Sequence, residues 1–155
     1  MIDVPAETPW LWVGLTLASA VMVGVVLGLP TPGPDADRVA RTIDDVATAG
    51  PGAAASVELR ATSVLIGSDH VGLDGPGGRD RAALEYGPVT PVPPDSTLQS
   101  VLDGRAPGAV FRSPAGFERT LLTARRTGQG WQAAGEQLRV RHVAYGEVNC
   151  VLVGA

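Results

Sequence analysis

The chain has 155 residues, 16 acidic and 12 basic side chains and a net charge of −4. All twelve basic residues are arginine, and their number is too small to give the concentrated positive footprint that a nucleic-acid partner demands. The single cysteine, Cys150, excludes an internal disulfide.

The first nine residues, "MIDVPAETP", carry Asp3 and Glu7 and no basic residue. An uncharged run follows from Trp10 to Leu29. As a helix it would span roughly 30 Å, the hydrocarbon thickness of a bilayer. A secretory signal has a basic start, a shorter apolar core and a small-residue cleavage site at its end. Here the one A-x-A candidate, Ala18-Ser19-Ala20, sits in the middle of the apolar run. The expectation is therefore an N-terminal tail and retained transmembrane anchor within residues 1–29, the span being 10–29, with Trp10 and Trp12 at one membrane interface. Thr16, Ala20, Gly24 and Gly28 recur every four residues, the small-x-x-x-small spacing that lets helices approach closely in lipid. They form a candidate helix-association face toward a second copy or another small membrane protein. The positive-inside rule counts Arg38 and Arg41 on the domain side, which points to the cytoplasm. Long domains translocate regardless of such charges; the expectation is an extracytoplasmic domain, with orientation open.

Pro30, Pro32 and Pro34 punctuate a stiff linker over residues 30–35, and residues 36–155 are expected to form one α+β domain. Val39, Ile43 and Val46 share one helical face, with Asp35 or Asp37 as cap and Gly50-Pro51 as stop. From residue 56 to 92 the period changes to two: "SVELRA", "SVLIG", "HVGLD" and "AALEYGPV" read as an antiparallel meander with tight turns at Gly67-Ser68-Asp69 and Asp74–Gly78. The loop "TPVPPDS" leads into a short helix with Leu98, Val101 and Leu102 inward. Ser113 then caps a third helix, with Pro114 at its first position, Phe117, Leu121 and Ala124 on one face, and Gly128 after it. "EQLRVRHVAYGEVNCVLVG" predicts two strands, about 137–145 and 147–153, turning at Gly146. The second strand is almost wholly apolar and is expected in the centre of a sheet. The fold expected is α+β: a transmembrane helix, then a small domain with a mainly antiparallel sheet and about three helices.

No catalytic set is legible. His70 and His142 are the only histidines, and neither stands at a metal-ligand spacing; Asp69-His70 with Asp74 makes the one drawable polar cluster. "GPGG" at 75–78 resembles a phosphate loop in composition alone, and the chain has no lysine to reach a phosphate. Ser113 is explained as a cap, Arg125-Arg126 as charges at a helix C-terminus, and Cys150, within "VNCVLVG", as a small buried hydrophobe. No cofactor, metal or enzymatic activity is expected.

The stretches "LGLPTPGPDADRVARTIDDVA", "YGPVTPV", "FRSPAGFERTLLTAR" and "LRVRHVAYGEVNCVLVG" together resemble a family of short, functionally uncharacterised haloarchaeal proteins with an N-terminal anchor. The resemblance implies a membrane-anchored accessory or pilin-like subunit beside pilus or secretion machinery, and no enzyme. The chain departs from type IV pilins in lacking a basic leader and in breaking the long pilin helix at Pro30–Pro34. The expected function is a single-pass anchored structural or interaction protein whose partners are the lipid bilayer and another membrane helix. The alternative is an anchored binding module for a small solute or a surface polymer.

Overall fold

The computed structural model describes residues 32–155, which form a single unit. Helix α1 (Ala36–Ala49) begins where the sequence places it. Asp35 accepts a hydrogen bond from the Arg38 N–H, satisfying one of the donors that a helix start leaves free. A second, the Ala36 N–H, donates to Asp80 at 2.9 Å and so ties the helix start to a strand 44 residues away. Val39, Ile43 and Val46 are buried along one face.

The chain then runs through β1 (Ala54–Glu58), β2 (Ser63–Ile66), β3 (His70–Gly75), β4 (Gly78–Ala83) and β5 (Thr90–Pro91). Helices α2 (Thr97–Leu102), α3 (Pro107–Val110) and α4 (Pro114–Thr127) follow, then β6 (Trp131–Ala133), β7 (Gln137–Tyr145) and β8 (Val148–Gly154). The tight β3–β4 hairpin depends on Gly78, whose φ of 115° suits a residue without Cβ. In α4 the Ser113 Oγ accepts from the Gly116 N–H at 3.2 Å, and Pro114 occupies the first turn, as expected.

The strands divide into two four-stranded sheets. The first has the order β1-β7-β8-β5, the second β4-β3-β2-β6. Alternation along β7 and β8 gives the first sheet two apolar faces. Leu138, Val140, Val151 and Val153 point to a core shared with α1 and the second sheet. Val143, Cys150 and Leu152 point to a core shared with α2 and α4. Thus α1 and α4 lie on opposite faces of the first sheet.

These observations correct the expected fold. The domain is α+β, but it has two sheets, and four helices among the described residues. No helix among the described residues is long and apolar enough to cross a membrane. Their longest helices have 14 residues, about 21 Å at ~1.5 Å per residue, and both expose charged side chains. The expected transmembrane helix falls on residues 10–29, outside the described residues. The extra helix, α3, is one turn started by Pro107, too short to leave a periodic signature. The meander is real for β2, β3 and β4, but β1 leaves it to pair with β7. β5 pairs with β8 in parallel, against an otherwise antiparallel pattern. A single core over the domain would bring Val39, Ile43, Leu59, Phe117, Leu121, Val140 and Leu152 together; all are buried, but Val39, Ile43, Leu59 and Val140 lie in one core and Phe117, Leu121 and Leu152 in another, on either side of a sheet.

Candidate functional site

The polar cluster suggested by Asp69, His70 and Asp74 does not form as a unit. His70 Nδ1 lies 2.7 Å from the Asp69 carboxylate, which holds the Asp69 carboxyl below its ordinary range. Both groups are exposed to water and sit at the β2–β3 turn. There the Gly67 N–H donates to the His70 carbonyl, and the imidazole packs on Gly67 so closely that a Cβ would come within 2.5 Å of the ring. The pair is accounted for as a clasp on that turn. Asp74 is instead bonded to Arg79 across the β3–β4 hairpin, at 2.6 Å. No group of three metal-ligating side chains exists among the described residues.

His142 is buried on the α1 side of β7. Its Nδ1 lies 3.2 Å from the Val46 carbonyl oxygen and its Nε2 lies 2.6 Å from the Asn149 side chain. The ring thus joins the end of α1 to the β7–β8 hairpin, a structural task. Cys150 faces the other core. Burial raises its thiol to about 11, offset in part by the nearby Arg125. A thiol so protonated is a poor nucleophile. Native protein should therefore resist alkylation by iodoacetamide at neutral pH and take up one equivalent after unfolding; rapid native labelling would show the β8 face to be open.

What the fold does assemble is a set of charged surfaces with apolar centres. Three large apolar side chains are exposed among the described residues: Tyr86, Leu122 and Trp131. Trp131 comes from β6, an edge strand that the sequence pattern does not announce. Its indole lies across β3, where a Cβ on Gly72 would be 3.1 Å away, so a larger residue at 72 would push the ring off the sheet. The Arg79 and Arg81 guanidinium groups stand 4.8 and 5.8 Å from the ring centre, within cation–π range.

Tyr86 flanks an open groove of about 620 Å³ between α1 and the end of β4, bordered by Asp37, Asp44, Asp45 and Glu85. Asp44 accepts from the backbone N–H groups of Glu85 and Tyr86, at 3.2 and 3.1 Å, and so holds that segment against α1. Leu122 projects from α4 beside Arg119 and Arg126. Of the residues singled out from sequence, Ser113 and Gly75–Gly78 are a helix cap and a hairpin turn. Arg125 donates to the buried Thr90 hydroxyl at 2.8 Å, pinning α4 to β5, while Arg126 is exposed. Thr16, Ala20, Gly24 and Gly28 lie outside the described residues.

No curated protein matches the chain, and no solved structure matches it. A family model does, over residues 3–143, which takes in nearly every element described above. The chain belongs to DUF7283, a family of unknown function.

Proposed function

We propose that the protein is a structural or interaction protein of the cell membrane, whose α+β domain binds other proteins through its surface rather than carrying out a reaction. The observation that carries this reading is the setting of its exposed apolar residues. Tyr86, Leu122 and Trp131 each stand beside charged groups, and aromatic residues with arginine are the types that anchor protein interfaces. Membrane attachment rests on the sequence alone, on the uncharged run 10–29; the side of the membrane on which the domain lies stays open. A membrane partner would meet the small-residue face Thr16, Ala20, Gly24 and Gly28. The narrower reading, an accessory or pilin-like component of a haloarchaeal pilus or secretion assembly, rests on the resemblance of the sequence motifs. Nucleic acid is not among the proposed partners, because the chain is acidic overall.

A second reading, a binding module for a surface polymer, is favoured by Trp131. An exposed indole beside two guanidinium groups suits the stacking of a sugar ring, with the guanidinium groups available to an anionic substituent on it.

Capture of the tagged full chain from native membranes in mild detergent tests the main reading. A stoichiometric protein partner should come down with it. Recovery should fall at least tenfold for a variant carrying Tyr86→Ser, Leu122→Gln and Trp131→Ala. A chain found wholly in the soluble fraction without a partner overturns the proposal.

A further inference from the structure

Two surfaces of the domain carry an excess of opposite charge. On one face of the first sheet, the groove beside α1 carries Asp37, Asp45 and Glu85, all exposed and absent from the three ion pairs that the described residues form. Arg41 is the one cation on its rim. On the opposite face stands α4. Ala115, Arg119, Leu122 and Arg126 are all exposed and, at i, i+4, i+7 and i+11, form one outward stripe. Neither Arg119 nor Arg126 is ion-paired, and Arg119 has only a long bond, 3.4 Å, to the Ala115 carbonyl. Glu118, the single acid of the helix, lies at the flank of this stripe. Each face has an apolar centre: Tyr86, 53% exposed, in the groove, and Leu122, 44% exposed, in the stripe.

We infer that these faces are the two halves of one interface between copies of this chain, with the α4 stripe of one copy seated in the α1 groove of the next. The inference builds on the reading of the protein as an interaction module and names its partner. Carboxylates alone would attract any cation. Here the same chain also carries the complement: Arg119 and Arg126 stand about one turn either side of the exposed Leu122, against Asp37, Asp45 and Glu85 along a groove that the exposed Tyr86 flanks. Opposite charge steers such faces together and sets their register. The two faces lie on opposite sides of a sheet, so a single rigid partner cannot fill both. The contact is therefore heterologous: copies add head to tail, as a ring or an open run according to the rotation between them, rather than closing as a symmetric pair.

Sedimentation velocity of the detergent-solubilised full chain tests this. At low salt the chain should form species that grow past two copies with concentration. They should shrink near 1 M salt, where screening reaches about 3 Å. The variant Arg119→Gln/Arg126→Gln lacks one half of the interface, and Asp37→Asn/Asp45→Asn/Glu85→Gln lacks the other. Each alone should associate at least tenfold more weakly. Mixed in equal amounts they should form pairs that stop at two, because only one intact groove and one intact stripe remain to meet. That rescue also shows that both variants are folded. A wild-type chain that does not grow with concentration overturns the inference. So does a mixture no more associated than its components. Association unchanged in both variants, as contact through residues 10–29 would give, overturns it too. If the chain stays single when purified but still captures another protein from membranes, stacking is wrong and the interaction reading stands. If it stays single and captures nothing, both fall.

Discussion

Phe117→Ala should destabilise the domain by about 3–5 kcal/mol, the range for emptying a large aromatic site in a core. Phe117 is fully buried and is the largest such side chain in the domain. Its ring meets Phe111 at 5.1 Å between centroids, tilted, and Tyr145 at 6.2 Å, edge-on. It joins three separate parts of the chain: α4, the segment before its cap, and the end of β7. The Tyr145 hydroxyl donates to the Phe111 carbonyl at 3.3 Å, which holds the partners in place and limits how far the cavity can collapse. Leu121→Ala, one turn further along the same face, should cost about 2–5 kcal/mol for the same reason. Urea unfolding of the full chain in detergent, followed by tryptophan fluorescence, would measure both. A loss below about 1 kcal/mol for Phe117→Ala would show that α4 is not packed on the first sheet.

The second large effect should come from His142→Ala, at about 2–4 kcal/mol. The substitution opens space in the core and leaves the Val46 carbonyl and the Asn149 side chain without their ring partner. The two bonds connect the last turn of α1 to both strands of the β7–β8 hairpin. Their loss should therefore appear first as faster hydrogen exchange in residues 46–49 and in the hairpin. His142→Gln, which keeps a polar side chain of moderate length, should recover part of the stability. If His142→Ala and wild type unfold at the same urea concentration, the ring is not the link between helix and hairpin.

The groove and the α4 stripe become visible only when the helices are seated. In sequence Asp37 reads as a candidate helix cap, Asp45 as part of the solvated side of an amphipathic helix, and Glu85 falls in what looks like a strand. Asp44 draws Glu85 and Tyr86 against α1 through backbone hydrogen bonds spanning 41 and 42 residues. A contact of that range leaves no local pattern. Arg125 and Arg126, adjacent in the chain, take opposite roles for a related reason. Helical geometry separates neighbours by about 100°, so one turns to Thr90 and the other to solvent.

Features governed by neighbours in the chain were determined by the sequence itself. The bounds of α1 and α4 follow from a capping side chain, a period near 3.6 and a glycine just past the end. The β7–β8 hairpin and the central place of β8 follow from its turn and from a run of residues apolar on both sides. The tertiary structure alone decided which strands meet. Alternation in "SVELRA" gives β1 an inward face, yet nothing in that segment distinguishes pairing with β2, its neighbour, from pairing with β7, some eighty residues on. The short pieces β5, β6 and α3 exist because other elements supply their partners, and each is too brief to show a period. His142 likewise has the same alternating context whether its strand face meets water or α1. Packing α1 on that face buries the ring, gives it the Val46 carbonyl as a partner and makes it structural.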